Sequence, residues 1–258
     1  MTSIETVHIA EGRPWKDALI GALEPRSPYR AWHASTDIAS GEPVIGVLDT
    51  DPPALLAAVG IVGLDGDVGQ ALGRIDDLDR SGLLELGTLN AVGDFTVRPG
   101  ARTVYYRDSY EAFVDTLDGY RWRVSESLFG ATSLAAARIL LHSGGSCAGC
   151  GQRIDLTGED ARDRVHLHTV APRLSEAPAD WPAALCDSCH DRMRRDGFTS
   201  FVDLRFALNP RCPSCSAQRT MSTMYGMPAG PVEQPWIAAM GCCVQPWEWC
   251  CAECGHEW

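Results

Sequence analysis

From Tyr29 onward, short apolar runs separated by turn residues set the texture of the first half of the chain, and they predict strands more often than helices. Before them, Gly12-Arg13-Pro14 reads as a turn that opens a short helix around Trp15 to Leu23. Val44-Ile45-Gly46-Val47-Leu48, closed by Asp49-Thr50-Asp51-Pro52-Pro53, predicts a strand followed by a turn. Ala54 to Leu64 fits a short helix running into a strand, and the pattern alone does not separate the two. Residues 65–82 carry Asp65, Asp67, Asp76, Asp77 and Asp79 and read as a solvated acidic segment. Leu83 to Leu86, Phe95 to Val97 and Thr103 to Arg107 are further strand candidates. Ser109 to Leu117 has amphipathic helical spacing, with Tyr110, Phe113 and Val114 on one face. Leu134 to Leu141 predicts a helix that leads into the first cysteine pair. Asp191 to Asp196 predicts a helix carrying Arg192, Arg194 and Arg195, with Gly197 as its left-handed cap.

The cysteines change this picture. All 11 fall at or after Cys147. Cys147-Ala148-Gly149-Cys150 and Cys186-Asp187-Ser188-Cys189 form one set of two Cys-x-x-Cys turns, and Cys212-Pro213-Ser214-Cys215 and Cys251-Ala252-Glu253-Cys254 form a second. A turn of this length aims both thiolates into one small volume, and two such turns complete a tetrahedral shell, so the spacing predicts two structural Zn²⁺ sites. Cys250 competes with Cys251 for one ligand place; the spacing and Gly255 favour Cys251. Cys242, Cys243 and Cys250 are then spare and are expected to be buried free thiols. Trp236, Trp247, Trp249 and Trp258 are expected to cover the small core of this last segment.

Composition bounds the function. With 34 acidic against 22 basic residues the formal charge is −12, so long-range attraction to nucleic acid is excluded and any such contact must be local. The N-terminal residues lack a basic start and an apolar run, and no stretch has the length of a membrane span. Reduced cysteines used as ligands then predict a cytoplasmic protein with no membrane partner. Cys186, Cys189 and His190 also spell a haem-attachment pattern, but that chemistry requires export.

Three resemblances follow from quoted residues. Tyr29-Arg30-Ala31-Trp32-His33-Ala34-Ser35 with Gly41-Glu42-Pro43-Val44-Ile45-Gly46-Val47 resembles the opening of PUA-like domains, including the EVE type, with Glu42-Pro43 where that family has Asp. The resemblance implies a β-rich barrel over 1–140 that holds a base on aromatic side chains, for which Trp32, Tyr105, Tyr106 and Trp122 are the candidates. Cys147/Cys150, His168-Thr169-Val170-Ala171-Pro172 and Leu185-Cys186 with Cys189-His190 resemble the four-cysteine HNH, or ββα-metal, nucleases. That likeness implies a treble-clef-like module over 141–209, with His168 as general base and His190 as ligand to a catalytic divalent metal. The family's metal-binding Asp is Leu167 here, and its Asn is missing from Asp180-Trp181-Pro182-Ala183-Ala184. His166, on the same strand face as His168, is the candidate replacement ligand, and Asp180 the candidate replacement for Asn. Residues 210–258, with Tyr225-Gly226-Met227-Pro228 and Gly241-Cys242-Cys243 beside the two cysteine turns, resemble a zinc ribbon.

The chain is thus expected to be an α+β multidomain protein. Two functions stand: a modification-dependent DNA endonuclease, and a non-catalytic zinc-binding adaptor or regulator that docks on a protein partner. The acidic charge and Leu167 favour the second. Iron in the cysteine sites for electron transfer is a third use of the same ligands.

Overall fold

Two apolar layers, one on each face of a sheet, organise the first segment. The computed structural model describes residues 6–34, 38–63, 66–73, 82–92, 97, 103–105, 127–171, 179–227 and 232–258. In chain order the first elements are β1 (Thr6–Gly12), α1 (Trp15–Leu23), β2 (Trp32–His33), β3 (Pro43–Leu48), β4 (Ala54–Ile61), α2 (Val68–Gly73), β5 (Leu83–Glu85), α3 (Leu86–Val92) and β6 (Thr103–Tyr105). They make a six-stranded sheet of order β2-β1-β3-β4-β5, with β6 also paired to β1. The β1–β3 pair is parallel and β3–β4 and β4–β5 are antiparallel.

Every residue of β3 is buried, which explains its unbroken apolar sequence. Val44 and Leu48 face one apolar cluster, and Ile45 and Val47 face another on the opposite side, with Leu55, Leu84 and Leu89. Alternation along β4 works the same way: Ala54 and Leu56 join the first cluster, Leu55 and Ala57 the second. Being paired on both edges and buried on both faces decides Ala54 to Ile61 as strand throughout. Part of the acidic segment is a helix instead of a solvated run: α2 buries Ala71 and Leu72. Val97 lies outside any strand; the Asn90 side chain bonds both its N–H and its carbonyl, at 2.9 and 2.8 Å. Phe95 and Ser109 to Leu117 lie outside the described residues.

The expected barrel is not formed: among the described residues the sheet is open. At the β5 edge the Leu83 carbonyl accepts from the Arg138 guanidinium, at 3.1 Å from Nε and 2.8 Å from Nη2, and a side chain holds the place a closing strand would take.

Arg138 belongs to α4 (Ser133–Ser143), whose first turn is capped by Thr132 Oγ1 accepting from the Ala135 N–H at 3.3 Å and which ends at Gly144 in the left-handed conformation. The chain then makes the first cysteine turn, α5 (Ala161–Arg164), the antiparallel hairpin β7 (His166–His168) and β8 (Ala183–Leu185), α6 (Asp187–Arg195) and α7 (Phe201–Leu208). Gly197, at φ 74°, ends α6 as predicted. A three-stranded sheet closes the chain, with β9 (Thr220–Met224) between β10 (Ile237–Ala239) and β11 (Trp249–Cys251).

One hydrophobic cluster runs through all of this, from Ala10 and Leu19 through Leu140, Cys147 and Leu185 to Phe201 and Trp236. Trp236, expected to cover the last segment's own core, reaches beyond that segment. It packs edge-on against Trp181 at 5.9 Å and Phe201 at 5.4 Å, and so fastens the final sheet to α7. Trp247 is exposed. No described helix is long and apolar enough to cross a membrane.

Candidate metal centres and an imidazole cleft

The eight cysteines chosen by spacing converge as two groups, Cys147, Cys150, Cys186 and Cys189, and Cys212, Cys215, Cys251 and Cys254, each with its sulfurs within 4.8 Å of one another. Neighbouring Sγ atoms stand 3.9 Å apart for Cys150–Cys186, 3.7 Å for Cys212–Cys254 and 3.6 Å for Cys215–Cys251. Four sulfurs on a tetrahedron about 2.3 Å from its centre are separated by about 3.8 Å, so the groups fit metal ions of that coordination, such as structural zinc.

Local backbone chemistry builds these shells. The Gly151 N–H closes the first turn on the Cys147 carbonyl, and Gly151 has φ 73°, a conformation glycine adopts freely. Ser216 and Gly255 hold the corresponding place after Cys215 and Cys254, at φ 63° and 70°. Cys186, by contrast, caps α6 and Cys189 lies in its first turn, where the helix N-terminus favours thiolates. Burial opposes ionisation of Cys147, but N–H groups of Cys150, Cys186 and Gly149 outweigh it and hold the thiol below its usual range. Burial, then the Cys147 charge, pushes Cys189 up. In the second group burial likewise opposes ionisation of Cys212, yet the N–H groups of Cys215 and Ser214 bring it to about 7. The Ala217 N–H favours a Cys215 thiolate, but the surrounding sulfurs push that thiol up to about 12. Four packed thiols cannot all ionise without a cation; a divalent ion supplies that charge.

Of the spare cysteines, Cys250 is half-buried, while Cys242 and Cys243 are exposed, contrary to the burial expected of them. They sit in a surface loop after Gly241, which has φ 79°.

Beside the first group, the hairpin and α6 bring His166, His168 and His190 to one open cleft of about 540 Å³. His168 Nε2 is 2.6 Å from Asp180 Oδ2. Asp180 Oδ1 in turn accepts from the Trp181 N–H at 2.8 Å, the Ser200 hydroxyl at 2.9 Å and the Phe201 N–H at 2.8 Å. Burial disfavours charge on Asp180, but the bond from His168 and these donors hold its carboxyl below the ordinary value. A carboxylate only accepts, so it fixes His168 with the proton on Nε2 and the lone pair on Nδ1. Asp180 thus orients the His168 imidazole.

His166 Nε2 is held by Asp187 Oδ1 at 2.8 Å, and its ring stacks on His190 with centroids 3.8 Å apart and planes 10° from parallel. Imidazole lone pairs lie in the ring plane, so two rings stacked this way do not aim at one ion about 2 Å from both. Leu167, between the two strand histidines, packs against the main core cluster and offers no ligand. His166 and His190 as arranged do not fit a shared catalytic metal. Burial, with His166 and Arg194 next, lowers the pKa of His190 and favours its neutral form.

Three participants had no sequence signal: Asp187, which lies inside a cysteine turn; Ser200, which also caps α7; and Lys16, which reaches the cleft from α1. Of the base-pocket candidates, Trp32 lies over Gly12 and Gly46, where an added Cβ would come within 2.9 and 2.7 Å of its ring, and it borders a cavity of about 280 Å³. The Tyr105 side chain, Tyr106 and Trp122 lie outside the described residues. Searches of the chain against protein-family models, curated proteins and solved structures find no match, so the reading of this site rests on its own geometry.

Proposed function

We propose that the protein is a zinc-stapled endonuclease of HNH-like type in which His168 is the general base for hydrolysis of a DNA phosphodiester. The single observation that carries this reading is the 2.6 Å contact between His168 and Asp180 at the mouth of a cleft beside a four-cysteine group. Cys147 to Cys150 and the start of α6 would be clamped by zinc, and the clamp holds the hairpin in place: the Ala148 N–H donates to the Ala184 carbonyl at 2.8 Å, and Ala184 pairs with Leu167. Asp180 orients the imidazole and stabilises the imidazolium formed when Nδ1 takes a proton from water. The sheet of the first segment, with Trp32 in its cavity, is the part assigned to sensing a modified base.

Purified protein is expected to nick modified DNA in the presence of Mg²⁺, Mn²⁺, Ni²⁺ or Zn²⁺. His168→Ala is expected to lose about 10²- to 10⁴-fold of that rate with its zinc content unchanged. If the unaltered protein cuts no DNA or RNA, modified or not, with any of these ions, the enzymatic reading is wrong.

A second reading, a non-catalytic adaptor docking on a protein partner, is favoured by Leu167 packed into the core and by the stacked His166 and His190 rings. Recovery of a stoichiometric protein partner from cells, with no nucleic acid retained at physiological salt, separates it from the first.

A further inference from the structure

The cleft departs from the charge of the rest of the molecule. In a chain of net charge −12 its lining includes Lys16, Arg194 and three histidines and, among the described residues, no aspartate or glutamate. Of the nearby acids, Asp180 is engaged by His168, Asp187 by His166 and Asp17 by Arg162 at 3.3 Å, while Asp163 near Lys16 and Asp191 near His190 stand outside the lining. Two fixed cations, Lys16 and Arg194, in one concavity attract anions locally even where the whole protein repels them.

Lys16 is the chain's only lysine. Its Nζ donates to the carbonyls of Arg162 at 2.6 Å and Val165 at 2.8 Å, immediately before the strand that carries His166 and His168. An ammonium has three N–H groups, so one remains after these two bonds. Arg194 lies one turn beyond His190 on α6 and is exposed, and its guanidinium makes no hydrogen bond or ion pair with the described residues. Thr199 adds a hydroxyl at the rim, and Trp15 and Phe198, both packed against the core, line the cleft with aromatic surface.

We propose that this cleft is a phosphate-binding subsite, in which Lys16, Arg194 and Thr199 hold a phosphodiester beside His168 and α1 supplies one wall. The subsite names the ligand class of the nuclease site and rests on that reading, but binding does not require cleavage. Lys16 and Arg194 are positioning residues for the substrate, contributed by segments far apart in the chain. Burial, and next the Arg162 charge, lower the pKa of Lys16, an effect that a bound anion would offset.

The test uses the zinc-loaded full chain, with inorganic phosphate and a fluorescent DNA duplex as separate probes at matched ionic strength. Arg194→Gln is expected to weaken DNA binding about five- to tenfold and to reduce the slope of log affinity against log salt by about 1. Lys16→Gln is expected to do the same and to weaken inorganic phosphate as well. Because Lys16 also ties α1 to the hairpin, Arg194→Gln, which breaks no bond, is the decisive variant. Equal affinity of the unaltered protein and Arg194→Gln for both probes overturns the proposal. Phosphate and DNA binding that both substitutions weaken, without any cleavage, supports the subsite while refuting the nuclease.

Discussion

At Gly149 a single methyl group would crowd the first cysteine group. A Cβ there would stand 2.9 Å from Cys189 Sγ and 3.6 Å from Cys147 Sγ, so a sulfur must shift from its tetrahedral place. Gly149→Ala is therefore expected to lower metal affinity at the first group and leave the second unchanged, as read by competition with a chromophoric chelator. The second group carries a pH prediction. Cys215, at about 12, must lose a proton to bind at any pH near neutrality, so apparent affinity rises at least about tenfold per pH unit. Cys212, lowered to about 7 from an ordinary 9.0, is already ionised above that value and adds a further tenfold per unit only below it. Titration at pH 6, 7 and 8 should show the steeper slope on the acid side; a flat profile would remove the thiolate account. Asp180→Asn should reduce the His168-dependent rate without altering metal content, because an amide can present its N–H to Nε2 and reverse the tautomer.

Elements hold these residues by a few identifiable contacts. The hairpin register sets His166 and His168 on one face, opposite Leu185 and Ala183, while Leu167 turns to the core. Thr132 caps the helix that precedes the first cysteine turn, and Thr132→Ala is expected to cost about 1 kcal/mol, measured by denaturant unfolding. Trp236 is the wedge between the final sheet and α7, and its ring meets Trp181, the residue after Asp180. Trp236→Ala is expected to destabilise the fold by about 3 kcal/mol or more and to loosen the second cysteine group's sheet from the first. A mutant with unchanged unfolding midpoint would show that these segments do not stabilise each other.

For the whole molecule, the continuity of the core has consequences. Cys147, Cys189 and Leu185 belong to the same cluster as Leu19 and Leu56 of the first segment, and Lys16, Tyr29 and Arg162 stitch the two together. Removing the metals is therefore expected to lower the unfolding temperature of the sheet too, in one shifted transition instead of a separate loss of the cysteine-rich half. Calorimetry with and without chelator reads this directly, and an unchanged sheet transition would contradict it. The same packing places α1 at the wall of the cleft, so Lys16 and Arg194 are brought to one concavity from distant segments.

The ligand sets were legible in the sequence because Cys-x-x-Cys is a local geometry: four short turns carry the information, whatever surrounds them. The helices at Trp15–Leu23 and before Cys147 were legible for the same reason, through turn and cap chemistry within a few residues. Asp180 was singled out only through its neighbourhood, and nothing local distinguished Asp187 or Lys16 from solvated surface charges. Whether Ala54 to Ile61 is strand or helix, whether the sheet closes, and which charges face one cleft depend on partners far along the chain. Such long-range pairing leaves no periodic trace in the segments that it joins. The sequence by itself determined where metal ions could be held; only the tertiary structure decided what was gathered beside them, because burial and charge at that cleft are sums over residues the chain keeps far apart.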